Sequence, residues 1–246
     1  MKRGQVAELA GSCGLGAWMG FGVLAVAVTG QDGLPLFGDA DILTWCVGHR
    51  PAVAVAFARG LTGTGTGVVP YALAVLAALV AGRTPRQRAL AVALCGGCLG
   101  AGQALRYAVM SLVDRPRPAL GDWATHASGG AFPSGHTTTA ALAAGLLIIA
   151  VRVRWARGTV PFTLVIGGWG VSVGLTRVYL GVHWFTDVVG GWLFAVGWLA
   201  LCLSAVAHWL PDRWTPGTAR PADVARERRE EHAPDDPGRR GRPRPA

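Results

Sequence analysis

The sequence predicts an all-α, polytopic membrane protein, and three observations carry that expectation. Hydrophobic residues make up 51% of the 246 residues and charged residues only 15%, against roughly a quarter charged in ordinary soluble domains. The apolar residues fall in runs of about bilayer length. Basic residues sit in short clusters between those runs, as in cytoplasmic membrane loops. That placement sets aside a nucleic-acid partner, which the net charge of +9 would otherwise suggest. The five cysteines have no framework spacing. Cys95 and Cys98 form a C-x-x-C, but within an apolar run and with no other Cys or His cluster beside it, so helix packing is favoured over redox or metal chemistry.

Lys2 and Arg3 precede an apolar run from about Cys13 to Gly30. Ala25-Val26-Ala27 resembles a signal-peptide cleavage site, yet the run is long enough to cross a bilayer and reads as a first span. Gln31 to Asp41 is a polar turn. Residues of about 41–61 are interrupted by Arg50, Pro51 and Arg59 and read as one or two helices lying at the interface. The Thr62-Gly63-Thr64-Gly65-Thr66-Gly67 stretch lacks the Gly-Lys-Ser/Thr ending of a P-loop and reads as a flexible hinge.

Further spans are expected at about 68–82, 89–112, 135–151, 160–178 and 185–209. Arg83, Arg86 and Arg88 form one inter-span cluster, and Arg152, Arg154 and Arg157 another. The positive-inside rule places both in the cytoplasm with the two termini. Six spans satisfy this arrangement and put residues 113–134 and 179–184 on the outer face. From Pro211 the chain is rich in Pro, Arg, Asp and Glu and reads as a disordered cytoplasmic tail. The organisation expected is a membrane domain over 1–210 and a tail over 211–246.

The two outer loops hold the unusual polar residues. The first carries Asp114-Arg115-Pro116-Arg117-Pro118 and ends at Pro133-Ser134-Gly135-His136. Ser134 is a natural N-cap, so Gly135 and His136 fall in the first turn of an apolar helix. Free N–H groups and the positive dipole end make that turn a site for phosphate or another oxyanion. The second loop carries Arg177, His183 and Asp187. On a helix, His183 and Asp187 would share a face. An Asp on one imidazole nitrogen points the other outward as a nucleophile. A metal on His136, His183 and Asp187 is permitted by spacing, but the neighbouring guanidiniums would repel a cation. Arginines at span ends on the outer side run against the charge rule and point to function; any one alone is equally a snorkelling residue.

These residues resemble the type-2 phosphatidic acid phosphatase family, which shares its site with the vanadium haloperoxidases and the bacterial class A acid phosphatases. The family pattern is Lys-x6-Arg-Pro, then Pro-Ser-Gly-His, then Ser-Arg-x5-His-x3-Asp. Here the second element is complete at Pro133–His136, the third reads Thr176-Arg177-x5-His183-x3-Asp187, and Arg117-Pro118 ends the first. The resemblance covers about residues 40–205. It implies that His183 is the nucleophile forming a phosphohistidine, that His136 protonates the leaving alcohol and that Asp187 orients His183. It also implies that Arg117, Arg177, Ser134 and the Gly135 N–H hold the phosphoryl oxygens, without metal or other cofactor.

One departure stands out. Seven residues before Arg117 the family has Lys and this chain has Met110; the register from Arg115 gives Ala108, and the only lysine is Lys2. Arg106, one turn before Met110 on the same face, and Arg115 in the loop are the two residues placed to replace that cation. Arg106 as a structural or snorkelling residue is the alternative. The function expected is hydrolysis of a lipid phosphate at the outer face of the cell membrane. Undecaprenyl diphosphate, phosphatidic acid and phosphatidylglycerol phosphate are the candidates. A non-catalytic lipid-phosphate binder and a phosphotransferase using the same site remain alternatives. A haloperoxidase is disfavoured by the spans. Oligomeric state is not readable.

Overall fold

The computed structural model describes residues 3–155 and 157–210; the tail expected from 211 onward lies outside them. All regular structure among the described residues is helical. In chain order the helices are α1 (Arg3–Gly30), α2 (Asp39–Gly48), α3 (Ala52–Gly63), α4 (Val68–Ala81), α5 (Pro85–Val113), α6 (Gly135–Arg154), α7 (Val160–Tyr179) and α8 (Phe185–Trp209), with a single 3-10 turn at Leu120–Asp122. Local chemistry explains several boundaries. Pro85 occupies the first turn of α5, and Thr84 and Gln87 form a reciprocal capping box. Asp114 ends α5 in the left-handed region, before Pro116 and Pro118 forbid its continuation.

Helix α6 is the centre of the bundle, packed against α4, α5, α7 and α8. Helix α1 lies along α8, brought close where Gly14 meets Ala200 and Gly197 meets the Trp18 ring. Phe21 and Val28 of α1 join Phe194 of α8 and Phe132 in one buried cluster. Phe21 and Phe132 stack at 5.5 Å, so α1 braces the residue just before Pro133. The face of Gly190 carries the Phe132 ring, and a side chain there would displace it.

Four helices are long and apolar enough to cross a membrane: α1 over Ala7–Gly30, α5, α6 and α8. A fifth crossing arises if α3 and α4, bent by 51° at a short break, act together. The expectation of six spans is therefore only partly met. Helix α4 has 14 residues, too few to cross alone at 1.5 Å per residue, and α7 falls short in hydropathy because its apolar run includes Arg177, Thr and Gly residues. The stretch of about 41–61 resolves into α2 and α3, and α3 is also the first half of the bent pair. These two helices sit over the loop between α5 and α6. Arg50 donates to the Asp122 carbonyl at 2.6 Å, Arg59 to the Ala124 carbonyl at 2.7 Å, and Tyr179 to the His49 carbonyl at 2.9 Å.

Candidate active site

Five segments converge at one end of the bundle: the loop after α5, the start of α6, the end of α7, the start of α8 and the break between α3 and α4. Ser134 is extended and precedes the first helical residue, Gly135, as the sequence predicts. Its hydroxyl makes no cap bond; it accepts from Thr137 Oγ1 at 2.9 Å, and its side chain is fully buried. The first-turn N–H groups of α6 thus have no side-chain cap, a condition that suits them to an oxyanion. The Ser134 N–H donates to the Asp187 carbonyl at 3.1 Å, which ties the start of α6 to the start of α8.

His183 lies in the turn before α8, not on the helix, and Asp187 occupies the first helical turn. The Trp184 N–H donates to Asp187 Oδ2 at 2.9 Å and fixes the carboxylate. That same oxygen lies 3.4 Å from His183 Nδ1. On the other side of the ring, Arg117 Nη1 lies 2.8 Å from His183 Nε2. A guanidinium can only donate, so Nε2 is the acceptor and the ring proton sits on Nδ1, toward Asp187. The lone pair required of a nucleophile is therefore on Nε2 and is covered by Arg117. Burial holds the His183 imidazole well below its ordinary pKa, and the charges of Arg117 and Arg177 push the same way. The ring is neutral at neutral pH.

Arg117 has no carboxylate within ion-pairing range among the described residues. It donates to the carbonyls of Ser128, Gly129, Gly130 and Val182 at 2.7–3.1 Å. Arg177 is 2% exposed at the end of α7; its Nη1 donates to Thr62 Oγ1 at 3.1 Å and its Nε has no hydrogen-bond partner. His136 in the first turn of α6 lies 3.5 Å from Thr66 Oγ1 through Nε2, a long contact, and feels the charges of Arg177, Arg117 and Arg106. Thr62 and Thr66 belong to the stretch read from sequence as a hinge. In the structure that stretch is a wall of the site, held also by Trp169 Nε1 donating to Thr64 at 2.9 Å.

Arg115 departs from its expected place at the phosphate. It is 1% exposed and donates to Asp187 Oδ1 at 2.6 Å and to Asp39 Oδ2 at 2.9 Å, with further bonds to Thr186 and to the carbonyls of Gly33 and Leu34. Its fork is fully committed and two of its partners are buried carboxylates, so turning it toward a substrate would strip Asp39 and Asp187 of their cation. The physical reason is charge pairing: two buried carboxylates need a cation, and Arg115 is the one between them. Asp39 was not singled out from the sequence. It accepts from Leu36 N, Thr186 N and Thr186 Oγ1 at 2.7–3.0 Å. Its only sequence signal was an acid at the first turn of a short helix, which reads as ordinary helix capping.

A neutral buried imidazole thus stands beside a carboxylate, with guanidiniums and a helix N-terminus close by, at one end of a membrane-type helical bundle. The PAP2 superfamily model matches residues 90–211, and the chain belongs to that superfamily, an enzyme of the phosphatase class. No curated protein matches the chain. The bundle is similar to the crystal structure described as the first transmembrane PAP2-type phosphatidylglycerolphosphate phosphatase from Bacillus subtilis. The TM-score is 0.64 at 24% identity, covering 79% of this chain and 93% of that one, a likeness of fold.

Proposed function

We propose that the protein is an integral membrane lipid phosphate phosphatase working through a phosphohistidine on His183. The observation that carries this reading is the His183 ring held between Asp187 on Nδ1 and Arg117 on Nε2. For reaction, Arg117 shifts its donor from Nε2 to a phosphoryl oxygen, uncovering the lone pair. Nε2 then bonds to phosphorus as the bond from phosphorus to the lipid oxygen breaks. His136 takes up a proton as the bound phosphate dianion offsets the surrounding guanidiniums and passes it to the departing oxygen, and Asp187 stabilises the charge that appears on the His183 ring. In the second step His136 takes a proton from water, the water oxygen bonds to phosphorus, and the bond to Nε2 breaks. Arg117, Arg177 and the first-turn N–H groups of α6 balance charge on the equatorial oxygens. Guanidiniums fill the role that a metal plays elsewhere, so turnover persists in EDTA.

The lipid assignment goes with a topology in which α7 and the bent α3–α4 pair cross beside α1, α5, α6 and α8, with the site outside. Helix α4 starts at the site and ends beside α6 at the far end, where Arg83, Arg88, Arg154 and Trp155 line one recess. Those exposed arginines suit a cytoplasmic face. Gly121→Cys and Arg154→Cys, in a cysteine-free background, are expected to label from opposite sides of intact cells, Gly121→Cys from outside. Labelling of both from one side rules out this topology.

Phosphatidylglycerol phosphate is the first substrate to try, since the similar fold belongs to a protein described as acting on it. Phosphatidic acid and undecaprenyl diphosphate follow. Phosphate release from the three purified lipids, with EDTA present, tests the reading; no release from any of them removes it. Met110 in the family's Lys position favours one second reading, a lipid-phosphate binder without turnover. Added alcohol acceptors would reveal a phosphotransferase through a phosphorylated product.

A further inference from the structure

Arg106 is a buried cation beside the site to which the motif assigns no role. It lies in α5 and is 4% exposed. A buried guanidinium is costly unless an anion or several acceptors meet it. Among the described residues no carboxylate lies within ion-pairing range of Arg106. Its Nη1 lies 3.3 Å from the Met110 sulfur, a weak acceptor, and its Nε has no hydrogen-bond partner. The guanidinium carbon lies 3.7 Å from the centre of the Tyr107 ring, which supports the cation without neutralising it.

Its direction is informative. A methyl group added at Gly135 would lie 3.2 Å from Arg106 Nη1 and 3.3 Å from its central carbon. Gly135 is the first residue of α6, so the guanidinium lies beside the positive first turn of that helix. A snorkelling arginine would instead run toward water. The Met110 sulfur caps one arm of Arg106, and a lysine at 110 would set a second cation against it.

We propose that Arg106 is the third phosphate-binding cation of this site, and that Met110 is the neutral residue its approach requires. The inference rests on the phosphatase reading. Arg106, Arg117 and Arg177 together face the position of the phosphoryl oxygens, and the charge of Arg106 is felt at Arg117, His136 and His183. A dianion binding among them relieves their mutual repulsion. A side chain at Gly135 would press on the guanidinium, which would have to give by a few tenths of an ångström to admit a methyl group.

The test compares wild type with Arg106→Gln, Arg106→Ala, Met110→Lys and the double variant Arg106→Ala/Met110→Lys, all purified in detergent. Two quantities are read: kcat/KM on one lipid phosphate, and the rise in Tm caused by inorganic phosphate. Arg106→Gln and Arg106→Ala should lower kcat/KM by about 100-fold, the scale for losing one preorganised charge donor, and should abolish most of the phosphate-induced Tm rise. Met110→Lys alone should give no gain. In the double variant the new lysine should restore about tenfold or more, a rescue that a purely structural arginine would not show. Full activity in a folded Arg106→Gln protein overturns the proposal, and so does a gain of about tenfold from Met110→Lys alone. If Arg106→Ala does not fold, Arg106→Gln decides, because it keeps the length and polarity. A wild type that binds phosphate through Arg106 yet releases none from any lipid upholds the cation and removes the phosphatase reading instead.

Discussion

The two ends of the bundle use the same residue, arginine, in opposite ways. At the far end Arg83, Arg86, Arg88, Arg152, Arg154 and Arg157 are all exposed. At the site end Arg106, Arg115 and Arg177 are buried and Arg117 is half-buried. Within the site end there is a second division. Arg115 is neutralised by Asp39 and Asp187, whereas Arg106, Arg117 and Arg177 meet no carboxylate among the described residues. Exposed arginines at a membrane face are solvated and set orientation. A buried one with carboxylates holds the fold together, and the buried ones without them are those we propose for the substrate anion. Burial and partner, not residue type, separate the three roles.

The largest effect that would sharpen this division is expected within the anion-facing set. His183→Ala should abolish turnover of every lipid phosphate, and Arg177→Ala should lower kcat/KM by about 100- to 1,000-fold without a matching loss of Tm. Residual turnover in His183→Ala above the background without enzyme would remove the nucleophile assignment.

Arg115→Ala should act differently. It leaves Asp39 and Asp187 buried without their cation, which costs about 3–5 kcal/mol. A clear fall in Tm is expected together with the loss of activity. If Arg115→Ala keeps its Tm and loses only phosphate affinity, Arg115 belongs with the anion-facing group after all.

His136→Ala should fall between these. Its defect is expected to be severe with lipid phosphates and much milder with p-nitrophenyl phosphate, whose leaving group hardly needs a proton. Equal defects on both substrates would contradict the general-acid role.

A smaller effect follows from the depressed pKa of His183. The unfolded imidazole takes up a proton as pH falls through about 6.5, whereas the folded one resists until well below that value. The unfolded state then holds more protons, so stability is fully present above about 6.5 and is lost as pH falls. Between pH 7 and 5 the wild type should lose more Tm than His183→Gln, measured by thermal unfolding in detergent. An equal loss in both proteins would place His183 in a less buried setting. The smallest effects belong to the far end: Arg83→Gln and Arg154→Gln should leave kcat/KM unchanged and shift stability by no more than about 0.5 kcal/mol.

Much of the site was legible because its groups are close in sequence. Ser134, Gly135 and His136 share one helix start, and Arg177, His183 and Asp187 share one turn. Arg115 and Arg117 look equivalent to a reader of Arg-Pro-Arg-Pro, yet the structure pairs only Arg115 with carboxylates. Which of them meets a carboxylate depends on Asp39, 76 residues away. Thr62 and Thr66 were missed for the same reason. Their Gly-rich stretch signals a break in a helix, but not that the break lies against Arg177 and His136.

The sequence by itself determined the helical class, the positions of the long apolar helices and the motif residues, because periodicity, composition and short-range spacing are properties of neighbouring residues. Only the tertiary structure decided how the charges are shared out. Whether a guanidinium is neutralised or solvated depends on side chains brought together from α2, α5, α7, α8 and the loop after α5. The energy of a buried charge is set by what surrounds it in space.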